Sequence, residues 1–433
     1  MQQFQSQFLH QLQNRGFISQ ITHEKELDEL MTKQKIAAYI GFDCTAKSLH
    51  IGSLIQIMIL QILQSCGHQP IVLLGGGTTK IGDPSGKDEA RQFLNEEKIA
   101  ENLKGIEATL KKFDLSKTNA ELPAFKFVNN DDWLSHLKYI DFLRDVGRHF
   151  SVNKMLTFDS VKLRLDRQQP LSFIEFNYMI LQGYDFYELN KNHHCVLQIG
   201  GSDQWGNIVN GVELTRRMNA ESLKNEQKIG ITNADQQLAF GLTTPLLTTS
   251  DGKKMGKTAD GAVWLDGEML APFDYFQYFR NVDDADVSKL LKFFTHLSAE
   301  KISEIEQQEI NKQKEILAFE TTKMCHGEAA AIASFEQAKN MFSGVIDINL
   351  LPEKSVKFND EEIKNGKKLI DILRETELCE SGGESKRLIK GGGVKVDDLK
   401  VDDENLLIKF DSTQPFFKVA LGKKKLFKIN ILA

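Results

Sequence analysis

Thr45, His50 and Gly52 fall in one short polar stretch between Asp43 and Ser53. A hydroxyl, an imidazole and a glycine at that spacing suit an anion: two hydrogen-bonding side chains, and a residue that lets a ligand lie against the backbone. The flanking residues supply the frame. The apolar run Ile36–Ile40 reads as a buried strand, and Leu54–Leu63 reads as the start of a buried helix. A strand, a polar loop and a helix N-terminus in that order aim free N–H groups and a helix dipole at whatever binds. The stretch therefore predicts a site that holds a nucleotide.

Other segments carry candidate chemistry. Gly75 to Lys87 is glycine-rich and follows a strand, but it misses the P-loop spacing by one residue, and Asp88 stands where Ser or Thr would bind magnesium. Gly82-Asp-Pro-Ser-Gly86 is then either a tight turn or the mount for Asp83 as an ammonium acceptor. The loop Ser250–Thr258 carries Lys253, Lys254 and Lys257 among glycines. It is either solvated surface or a set of mobile ammonium groups able to close over a pyrophosphate. Tyr178, Gln182 and Asp185, at spacings of four and three, share one helix face, as a solvated or a functional stripe. Gly200-Gly-Ser-Asp203-Gln204 follows another strand and offers a second close-approach loop. His193-His-Cys195 lacks a further ligand at suitable spacing, so no metal site is predicted.

These residues need a frame of parallel strands. Ile36–Ile40, Pro70–Leu74, Phe125–Val128 and Cys195–Ile199 are strand candidates, with helical patterns such as Glu96–Phe113 and Ile140–Val146 between them. Alternation of this kind predicts an α/β fold whose ligands bind at the carboxyl ends of the strands. Pro245 and the segment Thr243–Thr258 mark a break, after which Pro272–Arg280, Val287–Phe294 and Ala299 to about Met341 read as helical. The expected organisation is 1–245 catalytic, 246–345 helical, 346–365 linker, and 366–433 a small glycine-punctuated, β-leaning module.

Composition narrows the class. At 433 residues with 41% hydrophobic and 26% charged residues, the chain reads as a soluble protein of roughly two or three domains. Gln56 and Gln61 interrupt its longest apolar run, which excludes a membrane span, and the N-terminus has no signal-peptide features. Five scattered cysteines without a Cys-x-x-Cys pair point to a reduced cytoplasm. The net charge of −6 argues against nucleic-acid binding over the whole surface. From Lys386 onward, however, about eleven Lys/Arg face about six Asp/Glu, so this one module is suited to a polyanion.

Combined, the segments closely resemble the bacterial-type tyrosyl-tRNA synthetases, a family of class I aminoacyl-tRNA synthetases. His50-Ile-Gly-Ser53 and Lys254-Met-Gly-Lys-Thr258 correspond to the class signatures His-Ile-Gly-His and Lys-Met-Ser-Lys-Ser. Tyr39-x-Gly-Phe-Asp43-x-Thr45, Ile81–Gly86, Tyr178-x-x-x-Gln182-x-x-Asp185 and Gly200–Trp205 also match, in the family's order. Ser53 and Gly256 depart from the generic signatures, which bears on the ribose contact and on the resting position of the lysine loop.

The resemblance implies a Rossmann-like parallel-sheet catalytic domain, an α-helical domain and a small α+β S4-like RNA-binding domain. It implies activation of L-tyrosine with ATP, Mg2+ accompanying the ATP, and transfer of tyrosyl to tRNA(Tyr). Tyr39 and Asp185 would bind the phenolic hydroxyl. Asp83, Tyr178 and Gln182 would surround the α-ammonium, and Gln204 would reach the carboxyl side. Asp43, Gly201 and Asp203 would lie around the ribose, with Gly52, Ser53 and Met255 completing the ATP site. Thr45 and His50 would donate to the γ-phosphate, while Lys87, Arg91, Lys254 and Lys257 gather around the pyrophosphate. None is a nucleophile or base, so catalysis would be positioning plus charge stabilisation.

Leu369–Leu373 through Ser385–Val396 resembles the S4 RNA-binding domain, which makes Lys386, Arg387, Lys390 and Lys395 the candidate phosphate contacts. The family further implies a homodimer whose interface lies in an insertion at about 121–172. Tryptophanyl-tRNA synthetases share the fold and both signatures, but the Tyr39/Asp185 pair and the S4-like tail speak against them. A small-molecule adenylyltransferase would not need the RNA module. An RNA-binding protein with a decayed enzyme body would have no reason to keep Asp43, Asp83, Asp185 and Asp203.

Overall fold

The computed structural model describes residues 3–83, 94–227, 238–252, 255–258, 261–343, 351–422 and 425–432. Six strands form the main sheet: β1 (Gln20–Ile21), β2 (Ala37–Asp43), β3 (Gln69–Gly75), β4 (Lys126–Asn129), β5 (Cys195–Gly201) and β6 (Phe240–Thr244). They stand in the order β1-β6-β5-β2-β3-β4, with β2 to β6 parallel and β1 antiparallel at the edge. Ala38, Tyr39, Ile40 and Ile71 to Leu74 are buried, as expected for strands covered on both faces. From β2 the chain builds outward through β3 and β4, then returns to place β5 on the other side. That reversal opens a crevice at the carboxyl ends of β2 and β5.

The helix Leu54–Ser65 is buried along nearly its whole length. Its two buried glutamines are ties. Gln61 Nε2 donates to Phe113 O at 2.8 Å; Gln64 Nε2 donates to Asp114 Oδ1 at 2.6 Å and Pro123 O at 2.8 Å. These bonds make the burial of two amides tolerable.

Residues 1–334 form one compact unit, so most of the helical segment expected to stand apart belongs to it. The physical reason is the N-terminal helix Gln7–Arg15 and the turn after it. Phe17 stacks on Phe293 with ring centroids 5.0 Å apart, and Arg15 donates to Lys292 O, Thr295 O and Leu297 O at 2.7–2.9 Å. Pro272–Arg280 and Val287–Phe294 are helices. The single stretch expected after Ala299 is three helices, Ala299–Glu306, Ile310–His326 and Glu328–Ser343, the second break falling at Gly327 with φ +89°. No described helix is long and apolar enough to cross a membrane.

Residues 335–433 form a second compact unit. Its sheet runs Leu399–Lys400, Val394–Val396, Phe416–Leu421, Lys425–Leu432, Glu353–Lys357; only the last pair is parallel. Leu369, Ile372, Ile389, Val394, Val419 and Ile429 fill its core. The linker expected at 346–365 therefore ends earlier. Glu353–Lys357 is a strand, with Val356 and Phe358 buried in the same core, and Asn359 caps the helix Asp360–Asn365.

Candidate active site

A cleft of about 240 Å³ opens at the carboxyl ends of β2, β3 and β5. Tyr39, in the middle of β2, lies in its wall and is 1% exposed; its hydroxyl has no hydrogen-bond partner among the described residues. Beside it in register on β5, Gln198 lines the same cleft with its Oε1 buried and likewise unpartnered. Asp185 comes from the helix Phe173–His193, which a Ser172/Glu175 capping box starts. Asn130 Nδ2 donates to its Oδ2 at 2.9 Å and Trp133 Nε1 to its Oδ1 at 2.8 Å. Burial first, and then the charges of Asp43 and Glu188, push the Asp185 carboxyl up to about 7 against the pull of those two donors. Burial also raises the Tyr39 phenol well above its usual range, with Asp185 and Cys195 adding to the shift. Unpaired buried polar atoms cost stability unless a ligand completes them, so this wall suits a ligand that brings a hydroxyl.

Above it, Asp43 ends β2. Thr78 Oγ1 donates to its Oδ1 at 2.9 Å, and Tyr178 Oη stands 3.2 and 3.1 Å from its two oxygens. Gly75 lies opposite Asp43 on β3, where a Cβ would stand 2.5 Å from Asp43 Oδ1 and 2.7 Å from Thr78 Oγ1; the cluster needs glycine there. A chain of amides runs along the next wall. Gln204 Nε2 donates to Asp83 Oδ2 at 2.8 Å, and Asn207 Nδ2 donates to Gln204 Oε1 at 3.0 Å and to Gln182 Oε1 at 2.9 Å. Asp43, Asp83 and Asp185 thus face one small cleft, a setting that favours an ammonium group. Ser53, Gln56 and Gly201 complete its lining; a Cβ on Gly201 would stand 2.7 Å from Asp203 Oδ1.

The two signature segments meet. His50 Nδ1 accepts from Gly52 N at 2.9 Å and caps the short turn Ile51–Ser53 that leads into Leu54–Ser65. Acceptance at Nδ1 places the proton of the neutral ring on Nε2. Gly256 has φ +117°, and a Cβ there would stand 3.2 Å from His50 Nδ1 and 3.3 Å from Gly52 N. Met255 is buried next to it, its N–H donating to Leu247 O at 2.8 Å. Ile51 N donates to Val263 O, Leu265 N to Leu49 O, and Val263 N to Gly256 O, all within 3.1 Å. Thr45 is exposed just past β2. The neighbouring Cys44 thiol, pushed up to about 12 by burial and then by Asp43, is no nucleophile. Lys87, Arg91 and Lys254 lie outside the described residues, and of Lys257 only the backbone, in the strand Lys257–Thr258, is described.

A profile of the class I tRNA synthetases (W and Y) matches residues 31–343. The chain belongs to this family. This synthetase is 53% identical over 442 residues to a tyrosine–tRNA ligase of Wolbachia pipientis subsp. Culex pipiens, with 98% of each chain covered. It is 49% identical over 428 residues to that of Pelagibacter ubique, covering 99% of this chain and 100% of the relative. Among solved structures, a C-terminally truncated Aspergillus nidulans mitochondrial tyrosyl-tRNA synthetase superposes with a TM-score of 0.68 at 30% identity, covering 78% of this chain and 94% of that one.

Sequence reasoning gave no role to Thr78, Asn130, Trp133, Gln198 and Asn207, which line or brace this cleft. Asn130 carried a usable signal, because it follows directly on β4 at a strand's carboxyl end. In the second unit, Lys386, Arg387 and Lys390 are exposed on the helix Gly382–Lys390, whose other face buries Ser385 and Ile389. Lys395 is exposed on the adjoining strand Val394–Val396.

Proposed function

We infer that this synthetase is a tyrosine–tRNA ligase: it activates L-tyrosine with ATP, releases pyrophosphate, and transfers the tyrosyl group to the 3'-terminal adenosine of tRNA(Tyr). The Tyr39 hydroxyl, beside the Asp185 carboxyl and without a partner among the described residues, is the observation that carries this reading. The substrate phenol accepts from Tyr39 and donates to Asp185, which leaves both satisfied. Phenylalanine would leave them unpaired, a buried penalty that discriminates against it. Asp83, Tyr178 and Gln182 receive the α-ammonium, with Gln204 on the carboxyl side and Asp43, Gly201 and Asp203 around the ribose.

The tyrosine carboxylate attacks the α-phosphorus, an O–P bond forms, and the bond to the departing pyrophosphate breaks. No side chain takes a proton. Thr45 and the Nε2–H of His50 donate to the phosphates, and Lys87, Arg91, Lys254 and Lys257 balance the charge that develops on the leaving group. Gly52, Ser53 and Met255 border the nucleotide, and Mg2+ arrives with the ATP. Lys386, Arg387, Lys390 and Lys395 meet the phosphates of the tRNA.

The working form is a homodimer. Tyr139, Ile140, Val152, Leu163 and Phe173 are 50–72% exposed in and beside the 121–172 segment, an apolar surface that a second copy would cover. Five buried cysteines without disulfides fit the cytoplasm.

Amino-acid-dependent ATP–pyrophosphate exchange tests the assignment. Tyrosine should stimulate exchange, and tryptophan and phenylalanine should not. Equal stimulation by tryptophan, or none by tyrosine, would overturn it.

A further inference from the structure

The helix Glu96–Lys111 buries Ile99, Ile106 and Leu110, but it also turns polar groups toward the loop that follows β2. Asn102 is 1% exposed and donates from Nδ2 to Cys44 O at 2.9 Å. Three residues on, Gly105 has the Lys47 carbonyl where a side chain would begin: a Cβ there would stand 2.0 Å from Lys47 O. Four residues further, Thr109 Oγ1 stands 3.4 Å from Ser48 Oγ, both side chains buried. Spacings of three and four put Asn102, Gly105 and Thr109 on one face. From the opposite side, Cys44 N donates to Thr79 Oγ1 at 2.7 Å. Both backbone groups of Cys44 are therefore held by side chains, directly between Asp43 and Thr45.

Burial alone does not account for this face. Asn102 Oδ1 is buried without a partner among the described residues, which lowers stability where an aliphatic side chain would not. Asn102, Gly105 and Thr109 do not line the cleft. What they hold is the loop from Cys44 to Leu49, which carries Thr45 near its start and leads directly into His50.

We propose that Asn102, Gly105 and Thr109 are positioning residues for adenylation: they set where Thr45 and His50 stand against the phosphates without touching substrate. The proposal rests on the function inferred above. A rigid mount matters because the two donors act on phosphate charge that grows in the transition state, and a shift of about 1 Å there can lower the rate about 100-fold. Gly105→Ala must displace the Lys47 carbonyl, since a backbone atom cannot swing aside as a side-chain tip can.

The test is tyrosine-dependent ATP–pyrophosphate exchange by the full-length protein, with tyrosine affinity measured separately by equilibrium dialysis. Gly105→Ala and Asn102→Ala should lower kcat about 10- to 100-fold and leave the tyrosine Kd within about twofold. Lys104→Ala, on the exposed side of the same helix, should exchange at the unaltered rate. If Gly105→Ala fails to fold, Asn102→Ala and Thr109→Val decide by the same split. An unchanged kcat, or a tyrosine affinity that falls in step with kcat, overturns the proposal while the ligase assignment stands. Absence of tyrosine-dependent exchange in the unaltered protein overturns the assignment first, and this proposal with it.

Discussion

Trp133 holds one oxygen of Asp185, its indole Nε1 donating to Oδ1 across 2.8 Å. Asn130 holds the other, yet burial still raises the carboxyl to about 7. The folded state therefore keeps its proton where the unfolded chain has lost it. Below about pH 4 both states are protonated and Asp185 contributes no pH dependence. Between about 4 and 7 the unfolded chain ionises first, so this group's contribution to stability falls as the pH rises, and above 7 it is constant. Tyrosine binding runs the other way, gaining as the carboxylate becomes an acceptor near pH 7. Denaturation and tyrosine titrations across this range should show opposite slopes, both lost in Asp185→Asn. Trp133→Phe removes a donor worth about 1.5–3 kcal/mol to the charged form, so the affinity midpoint should move to higher pH. An unmoved midpoint would count against the role given to Trp133.

Tyr39→Phe should separate stability from binding. The hydroxyl is buried and has no partner among the described residues, so its removal should stabilise the ligand-free protein by about 1 kcal/mol or more. Tyrosine affinity should fall roughly tenfold as one hydrogen bond is lost, while phenylalanine affinity holds. Thermal melts and binding titrations on the same sample check both. A drop in Tm would mean that the hydroxyl is satisfied within the free protein.

Gly256→Ser would restore the generic signature residue and should still impair the enzyme. A serine at φ +117° carries about 1–3 kcal/mol of strain, and its Cβ would press on His50 Nδ1 and Gly52 N. The lysine loop should leave its seat beside His50, lowering the adenylation rate with tyrosine affinity unchanged. Single-turnover kinetics would show this; a wild-type rate would show that the joint tolerates a side chain.

Lys386→Glu with Arg387→Glu should weaken tRNA charging and spare pyrophosphate exchange. If each side chain meets one phosphate, the log–log salt slope of tRNA binding should fall by about 2. An equal loss in both assays would place these residues elsewhere in function.

The polar residues of the cleft wall were legible because their types announce chemistry: Tyr39, Asp43, Asp83, Tyr178, Gln182 and Asp185 all line the one cleft. Their supports were not. Trp133 and Asn102 are ordinary residues whose roles depend on which carboxylate or carbonyl the fold brings to them. The strand β6 escaped notice because Thr243 and Thr244 look like the start of a polar loop, although both are fully buried and β-branched. Glu353–Lys357 escaped for the opposite reason: only Val356 among its five residues is buried, and a single apolar residue sets no period.

That strand has a kinetic consequence. It lies beside Lys425–Leu432, with Lys428 and Glu353 joined across 75 residues of chain. The neighbouring pair Phe416–Leu421 and Lys425–Leu432 is a tight hairpin and can zip up in microseconds. Glu353–Lys357 must wait for the long intervening segment to close, at an entropic penalty that no local contact repays. The hairpin then stands as an unpaired edge until the strand arrives, so the interval before ring closure is when this module is most exposed to pairing with another chain.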